Sequence, residues 1–239
     1  MGLPIIFMPF IELRGFAMNK KTGVGFFSIQ SKMHIDYSIY LVTDRTILGG
    51  RDLIKAAKQA IIGGVTLLQL REKNISSREF FALAVELKQL AHSYNVPLII
   101  NDRLDIALAA DADGLHIGQD DLPLIEARRI LGANKILGYS VSNLTEAAYG
   151  QQNGADYLGA GAVFATGSKA DVGEPIGLNM LREIKRSVNI PVVGIGGIGT
   201  DNASLVRETG VDGISIISAI LGKEDIEGAA KNLLAQWKL

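Results

Sequence analysis

Residues 144–160 read LTEAAYGQQNGADYLGA, and one joint inside them decides the fold. Leu144–Asn153 has helical spacing, Asn153-Gly154-Ala155-Asp156 stops it, and Asp156–Ala160 is a short apolar strand. Glycine just after a helix and just before a strand marks a left-handed stop followed by a tight turn. The same joint recurs at Gly63-Gly64-Val65 and at Thr209-Gly210-Val211-Asp212. Outward from these joints the chain alternates. Strands are expected at Tyr37–Thr43, Thr66–Leu70, Pro97–Ile100, Gly114–Ile117, Ile136–Tyr139, Asp156–Ala160, Pro191–Gly194 and Gly213–Ile217. Helices are expected at Arg51–Ile62, Ser77–Tyr94, Leu104–Ala110, Leu124–Leu131, Leu144–Asn153, Asn179–Ser187, Asn202–Thr209 and Asp225–Trp237. Eight strand–helix pairs close a (β/α)8 barrel. A doubly wound open sheet would want a glycine-rich turn after its first strand, and Thr43-Asp44-Arg45 supplies none. The expected fold class is therefore α/β, a single TIM barrel over residues 35–239. Residues 1–34 show no sustained period and read as an N-terminal extension outside the core fold, with Met18 and Met33 as alternative starts.

Composition sets the bounds. The 239 residues are 48% hydrophobic and 21% charged, which excludes disorder and supplies a sizeable core. A net charge of −1 argues against nucleic acid and anionic membrane as partners. Cys is 0, so disulfides, thiolate metal sites and a cysteine nucleophile are impossible. That fits a reducing, cytoplasmic location. The apolar opening Met1–Ile11 lacks a basic leader, and no stretch is apolar for the ~18 residues a membrane span needs.

In such a barrel the site forms where strands end, and unusual polar residues gather there. After one strand comes Gln69-Leu70-Arg71-Glu72-Lys73, whose alternation puts Gln69, Arg71 and Lys73 on one side. Two cations and an amide suit a diphosphate, the competing reading being a solvated end with a Glu72 salt bridge. The next two strands run into Asn101-Asp102 and Gly118-Gln119-Asp120-Asp121. Turn chemistry would account for each alone, and Asp121 would serve as a helix cap. Together they set hard oxygen ligands beside an anion site, as Mg²⁺ bound by carboxylates and phosphates requires. Ser140 ends the fifth strand. Thr166-Gly167-Ser168-Lys169, Gly194-Ile195-Gly196-Gly197 and Ile217-Ser218 follow the last three and resemble a phosphate cradle. Of His34, His92 and His116, only His116 lies in a core strand, as a packed imidazole or a base. With no Cys and no obvious Ser–His pair, the sequence does not support chemistry by a nucleophilic triad.

The ordered set Gln69–Lys73, Asn101-Asp102, His116–Asp121, Thr166–Lys169, Val193–Ile198 and Ile217–Ile220 resembles the thiamine-phosphate synthase family over Tyr37–Trp237. The resemblance implies a transferase of thiamine biosynthesis that joins hydroxymethylpyrimidine diphosphate to thiazole phosphate. It implies that Gln69, Leu70, Arg71, Glu72, Lys73, Asn101, Ser140 and Lys169 contact the pyrimidine diphosphate. Thr166, Gly167, Ser168, Gly197, Ile217 and Ser218 would receive the thiazole phosphate, and Asp102 and Asp121 would hold Mg²⁺. Diphosphate would depart first, with Arg71, Lys73 and Lys169 stabilising the charge that builds on it. Small molecules are the expected partners, and self-association is left open. Ala162 and Ala165 depart from the family, whose members often carry proline there, which implies a looser loop. A thiazole tautomerase-like isomerase on the same fold is the nearest alternative, and Asp102 and Asp121 argue against it. A non-catalytic barrel that binds thiamine precursors is the other.

Overall fold

Two short strands, β1 (Phe16–Met18) and β2 (Gly25–Phe27), pair antiparallel with Ala17 opposite Phe26. They belong to a unit spanning Met1–His34, and the rest of the chain, Ile35–Leu239, is a second unit. The computed structural model describes residues 16–18, 25–27, 35–166 and 174–239. The reading of residues 1–34 as an extension therefore lies, apart from these two strands, outside the described residues.

The second unit has eight strands: β3 (Ile39–Val42), β4 (Leu67–Leu70), β5 (Leu98–Asn101), β6 (Gly114–Ile117), β7 (Ile136–Val141), β8 (Tyr157–Gly161), β9 (Val192–Ile195) and β10 (Gly213–Ile216). Each pairs in parallel with the next, and β10 returns to β3, so the sheet closes into the expected barrel. The helices are α1 (Arg45–Leu48), α2 (Leu53–Ile62), α3 (Ser77–Ser93), α4 (Leu104–Ala109), α5 (Leu124–Leu131), α6 (Leu144–Gln152), α7 (Gly177–Ser187), α8 (Ala203–Arg207), α9 (Ser218–Leu221) and α10 (Ile226–Lys238). The single-turn helices α1 and α9 sit in loops after β3 and β10 and lack the length for a sequence period. Among the described residues no helix is long and apolar enough to cross a membrane.

Side-chain chemistry sets the boundaries that differ from expectation. Arg51 stays outside α2 because Asp52 caps it, accepting from the Lys55 amide at 2.8 Å. α3 starts at Ser77 as expected, because Ser76 caps it in a reciprocal box with Glu79, and it ends one residue early at Ser93. The three expected joints do carry left-handed glycines, with φ of +105° at Gly64, +92° at Gly154 and +87° at Gly210. A side chain would be strained at each of them.

Strand parity divides the core in two. Leu68, Leu70, Ile100, Leu115 and Ile117 are fully buried between sheet and helices. The opposite parity faces the barrel axis, where Tyr40, Leu67, Ile99, Tyr157 and Val193 form a second cluster. Two tyrosines fit there because glycine faces them: a Cβ on Gly138 would collide with the Tyr157 ring and the His116 imidazole.

At the opposite end of the strands one device recurs four times. The residue before an even-numbered strand donates its amide to a carbonyl in the first two residues of the preceding strand and accepts that residue's amide on its own side chain. Thr66 does this with Ile39, Asp113 with Leu98, Asp156 with Leu137 and Asp212 with Val192. Each aspartate also takes a basic side chain from a neighbouring helix: His92, Arg128 and Lys185 respectively. Four clamps thus pair the eight strands two by two. Removing Asp156 strands the Leu137 amide and takes the carboxylate from Arg128, which keeps its bonds to backbone carbonyls, so Asp156→Ala should cost about 2–3 kcal/mol. At roughly 2–4 °C per kcal/mol for a chain this size, a thermal melt should fall by about 5–10 °C. Asp156→Asn keeps an acceptor for the amide and should lose about half as much.

Candidate active site

The mouth of the barrel is built at the C-terminal ends of the strands, and its cationic side starts at β3. Thr43 Oγ1 accepts the Arg71 amide at 3.0 Å. Asp44 caps α1 with Oδ1, which accepts from Thr46 and Ile47. Its Oδ2 then takes Arg71 Nη1 at 2.9 Å, with both side chains nearly buried. One guanidinium arm is used, and the remaining donors of a rigid fork stay available. Lys73 is exposed and has no ion-pair partner among the described residues. Glu72 turns aside and pairs with Arg45 at 2.6 Å. Leu70 lies wholly in the layer beneath the helices, so only its backbone reaches the mouth. Gln69 points along the axis and donates to the Tyr40 hydroxyl.

The carboxylates come next. Asn101 ends β5 level with His116 on β6. Asp102 follows with φ of +60°, in the left-handed region that Asp tolerates better than most residues, and its amide donates to the His116 carbonyl at 2.9 Å. Asp121 folds back over the end of β6, where its Oδ2 accepts the Gly118 amide at 2.8 Å. The alternative that Asp121 caps a helix is corrected here: α5 begins after Pro123 and has no side-chain cap. β5 and β6 are adjacent, so both carboxylates stand at neighbouring strand ends. Among the described residues no group of three or more His, Asp or Glu side chains could hold a metal. Two carboxylates fit a hard cation whose remaining ligands are phosphate oxygens and water.

Across the mouth lies a cleft of about 520 Å³, within the range of small-ligand sites. It brings together five residues singled out in the sequence: Ser140, Thr166, Gly197, Ile217 and Ser218. Gly196 and Gly197 have φ of +100° and +65°. A Cβ on Gly197 would come within 2.7 Å of the Ala165 carbonyl, so the loops after β8 and β9 close on each other only with glycine there. Ser218 opens α9 with its side chain exposed, and the first amides of that turn lack intrahelical acceptors. Gly167, Ser168 and Lys169 lie outside the described residues.

Several contributors carried no motif. Thr43 and Asp44 hold Arg71, and the cap signature Asp44-Arg45-Thr46 was their available signal. Gln119 Nε2 donates to the Ser140 carbonyl at 2.7 Å. Tyr40 and Tyr157 form the floor, and burial pushes both phenols well above their ordinary pKa, so they stay protonated.

The family model described as thiamine monophosphate synthase matches residues 39–220, from the first barrel strand into α9. The chain belongs to the thiamine-phosphate synthase family. It is therefore a transferase. It is 60% identical to the thiamine-phosphate synthase of Desulfitobacterium hafniense (strain DSM 10664 / DCB-2) over 206 residues, covering 86% of this chain and 100% of that one. The relative from Alkaliphilus oremlandii is 55% identical, covering 85% of this chain and 97% of its own. The solved thiamine phosphate pyrophosphorylase of Pyrococcus furiosus is 42% identical with a TM-score of 0.79, covering 85% of this chain and 96% of that one. A 3-hexulose-6-phosphate synthase at 19% identity and a TM-score of 0.63 shares the fold alone. Thiamine-phosphate synthases matched over their whole length by 206 residues need little beyond the barrel. A chain starting at Met33 should keep its melting temperature within about 2 °C of the full chain. A larger drop would assign residues 1–32 a share in barrel stability.

Proposed function

We propose that this chain joins hydroxymethylpyrimidine diphosphate to thiazole phosphate, releasing diphosphate and forming thiamine phosphate, in the cytoplasm. The observation that carries the reading is the division of the mouth. Fixed cation and carboxylates stand at β4–β6, and a cleft of hydroxyls and glycine amides, with Glu174 as its one charged lining residue among those described, stands at β7–β10. The first suits a diphosphate and the second a phosphate monoester.

Gln69, Arg71, Lys73, Asn101 and Ser140, with Lys169, would bind the pyrimidine diphosphate. Thr166, Gly197, Ile217 and Ser218, with Gly167 and Ser168, would bind the thiazole phosphate. Asp102 and Asp121 would hold Mg²⁺, which when bound neutralises diphosphate charge. His116, bonded to Ser140 and Tyr157, is given no base role in this reading, and the work of the cationic residues is electrostatic. Arg71 is pre-set by Asp44 to meet charge that grows as diphosphate departs, and that order of events makes the substitution dissociative. Glu72 and Leu70 contribute through backbone only.

Purified chain, both substrates and Mg²⁺ should give thiamine phosphate. No product from both substrates together, with either bound normally, would overturn the reading. Asp102→Asn and Asp121→Asn should fold, since Asn tolerates the left-handed backbone and can accept the Gly118 amide. Both should need more Mg²⁺ and turn over more slowly. Equal Mg²⁺ titrations for wild type and variants, with equal melts, would remove the metal role. Ser218→Ala should raise KM for the thiazole phosphate by one to two orders of magnitude, the loss of about 1.5–3 kcal/mol from a bond to a charged group. KM for the pyrimidine diphosphate should hold.

A further inference from the structure

A continuous hydrogen-bond wire crosses the floor of the barrel. Gln69 Nε2 donates to the Tyr40 hydroxyl. The Tyr40 and Tyr157 hydroxyls are 2.7 Å apart, Tyr157 lies 2.9 Å from His116 Nδ1, and His116 Nε2 lies 2.9 Å from Ser140 Oγ. The rings pack as well, His116 and Tyr157 with centroids 5.5 Å apart. Gly138 and Gly159 leave the room the imidazole occupies.

Each tyrosine hydroxyl has a single proton and only these two partners among the described residues, so with every proton bonded the first link sets the others. Tyr40 accepts from the Gln69 amide, so its own proton goes to Tyr157. Tyr157, already accepting, places its proton on His116 Nδ1. A neutral imidazole that accepts at Nδ1 carries its proton on Nε2 and donates it to Ser140 Oγ. Ser140 Oγ, accepting from Nε2, keeps its own O–H to donate away from the wire. Ser140 lines the cleft, whereas Tyr157 lines neither the cleft nor the small hollow of about 20 Å³ beneath it.

We propose that Tyr157 is a positioning residue which, through the His116 tautomer, turns the Ser140 O–H into the site as a hydrogen-bond donor. The inference rests on the reading that Ser140 meets the pyrimidine diphosphate, an acceptor-rich ligand. The wire also couples Ser140 to Gln69 on the far side of the axis. Were Gln69 to present its carbonyl to Tyr40, every link would reverse and Ser140 would point its proton inward.

The test begins without substrate. In ¹⁵N spectra of the full chain at neutral pH, His116, assigned by its loss in His116→Asn, should show Nδ1 bare and Nε2 protonated. A proton on Nδ1 alone would reverse the wire and overturn the proposal. Tyr157→Phe should give a mixture of tautomers and weaken binding of hydroxymethylpyrimidine diphosphate about tenfold by calorimetry, with thiazole phosphate binding unchanged. In a Ser140→Ala background the same Tyr157→Phe change should cost less than twofold. A tenfold loss persisting in that background would make Tyr157 merely structural and sink the proposal. If Tyr157→Phe does not fold, the wild-type spectrum still decides the wire's direction. An inactive chain with the expected tautomer would count against the proposed reaction and for the wire.

Discussion

The inside of an eight-stranded barrel has a fixed, small volume, and every second residue of every strand must go into it. In this chain that volume holds Tyr40, Tyr157 and His116 as well as aliphatic side chains. Three polar rings fit only because Gly138 and Gly159 face them. Their polar atoms are buried, and a buried polar atom left unpaired is costly, so each takes a partner inside the barrel. They find one another, and the chain of partners ends on Ser140 at the mouth. The packing problem of the core and the donor pattern of the site are thus one problem.

The two ends of the strands are built for opposite purposes. At the base, Thr66, Asp113, Asp156 and Asp212 pin pairs of strands through side-chain and backbone bonds at once. Three of the four are reinforced by a basic residue from a neighbouring helix. At the mouth the polar groups are spread over loops instead: Asp102 in a left-handed conformation, Asp121 folded back on Gly118, and glycines pressed against the loop after β8. Fixing register at the base leaves the mouth loops free of that task. Strained or glycine-dependent backbone can then be placed where it serves the site.

How much of this was legible depended on whether a signal repeats. The barrel was readable because helix stop and strand start recur at Gly64, Gly154 and Gly210, each of which proves left-handed. That Arg71, Ser140, Gly197 and Ser218 stand at the mouth was readable because each follows or ends an expected strand. α1 and α9, of 4 residues each, are too short for any period to register. The partners of the motif residues stayed hidden for another reason. Tyr40 and Tyr157 read as strand-filling aromatics, because alternation gives their direction but not the residue they meet across the axis. The hydrogen bond between them joins residues 117 apart in sequence. Asp44 carried no motif, and only the fold brings β3 beside β4 so that one carboxylate both caps α1 and holds Arg71.

Asp44 also shows why Arg71 and Lys73 are not equivalent cations. A nearly buried guanidinium gains from a carboxylate that removes its desolvation cost, and it keeps donors on its remaining nitrogens. A single ammonium placed there would spend its charge on Asp44 and offer the mouth little. Lys73, exposed and without such a partner among the described residues, stays a mobile point charge that can follow a ligand. Under the proposed reaction the diphosphate changes position and charge as it departs. A fixed fork would hold it at the start and a flexible ammonium would move with it, so the two cations divide one task by geometry rather than by charge.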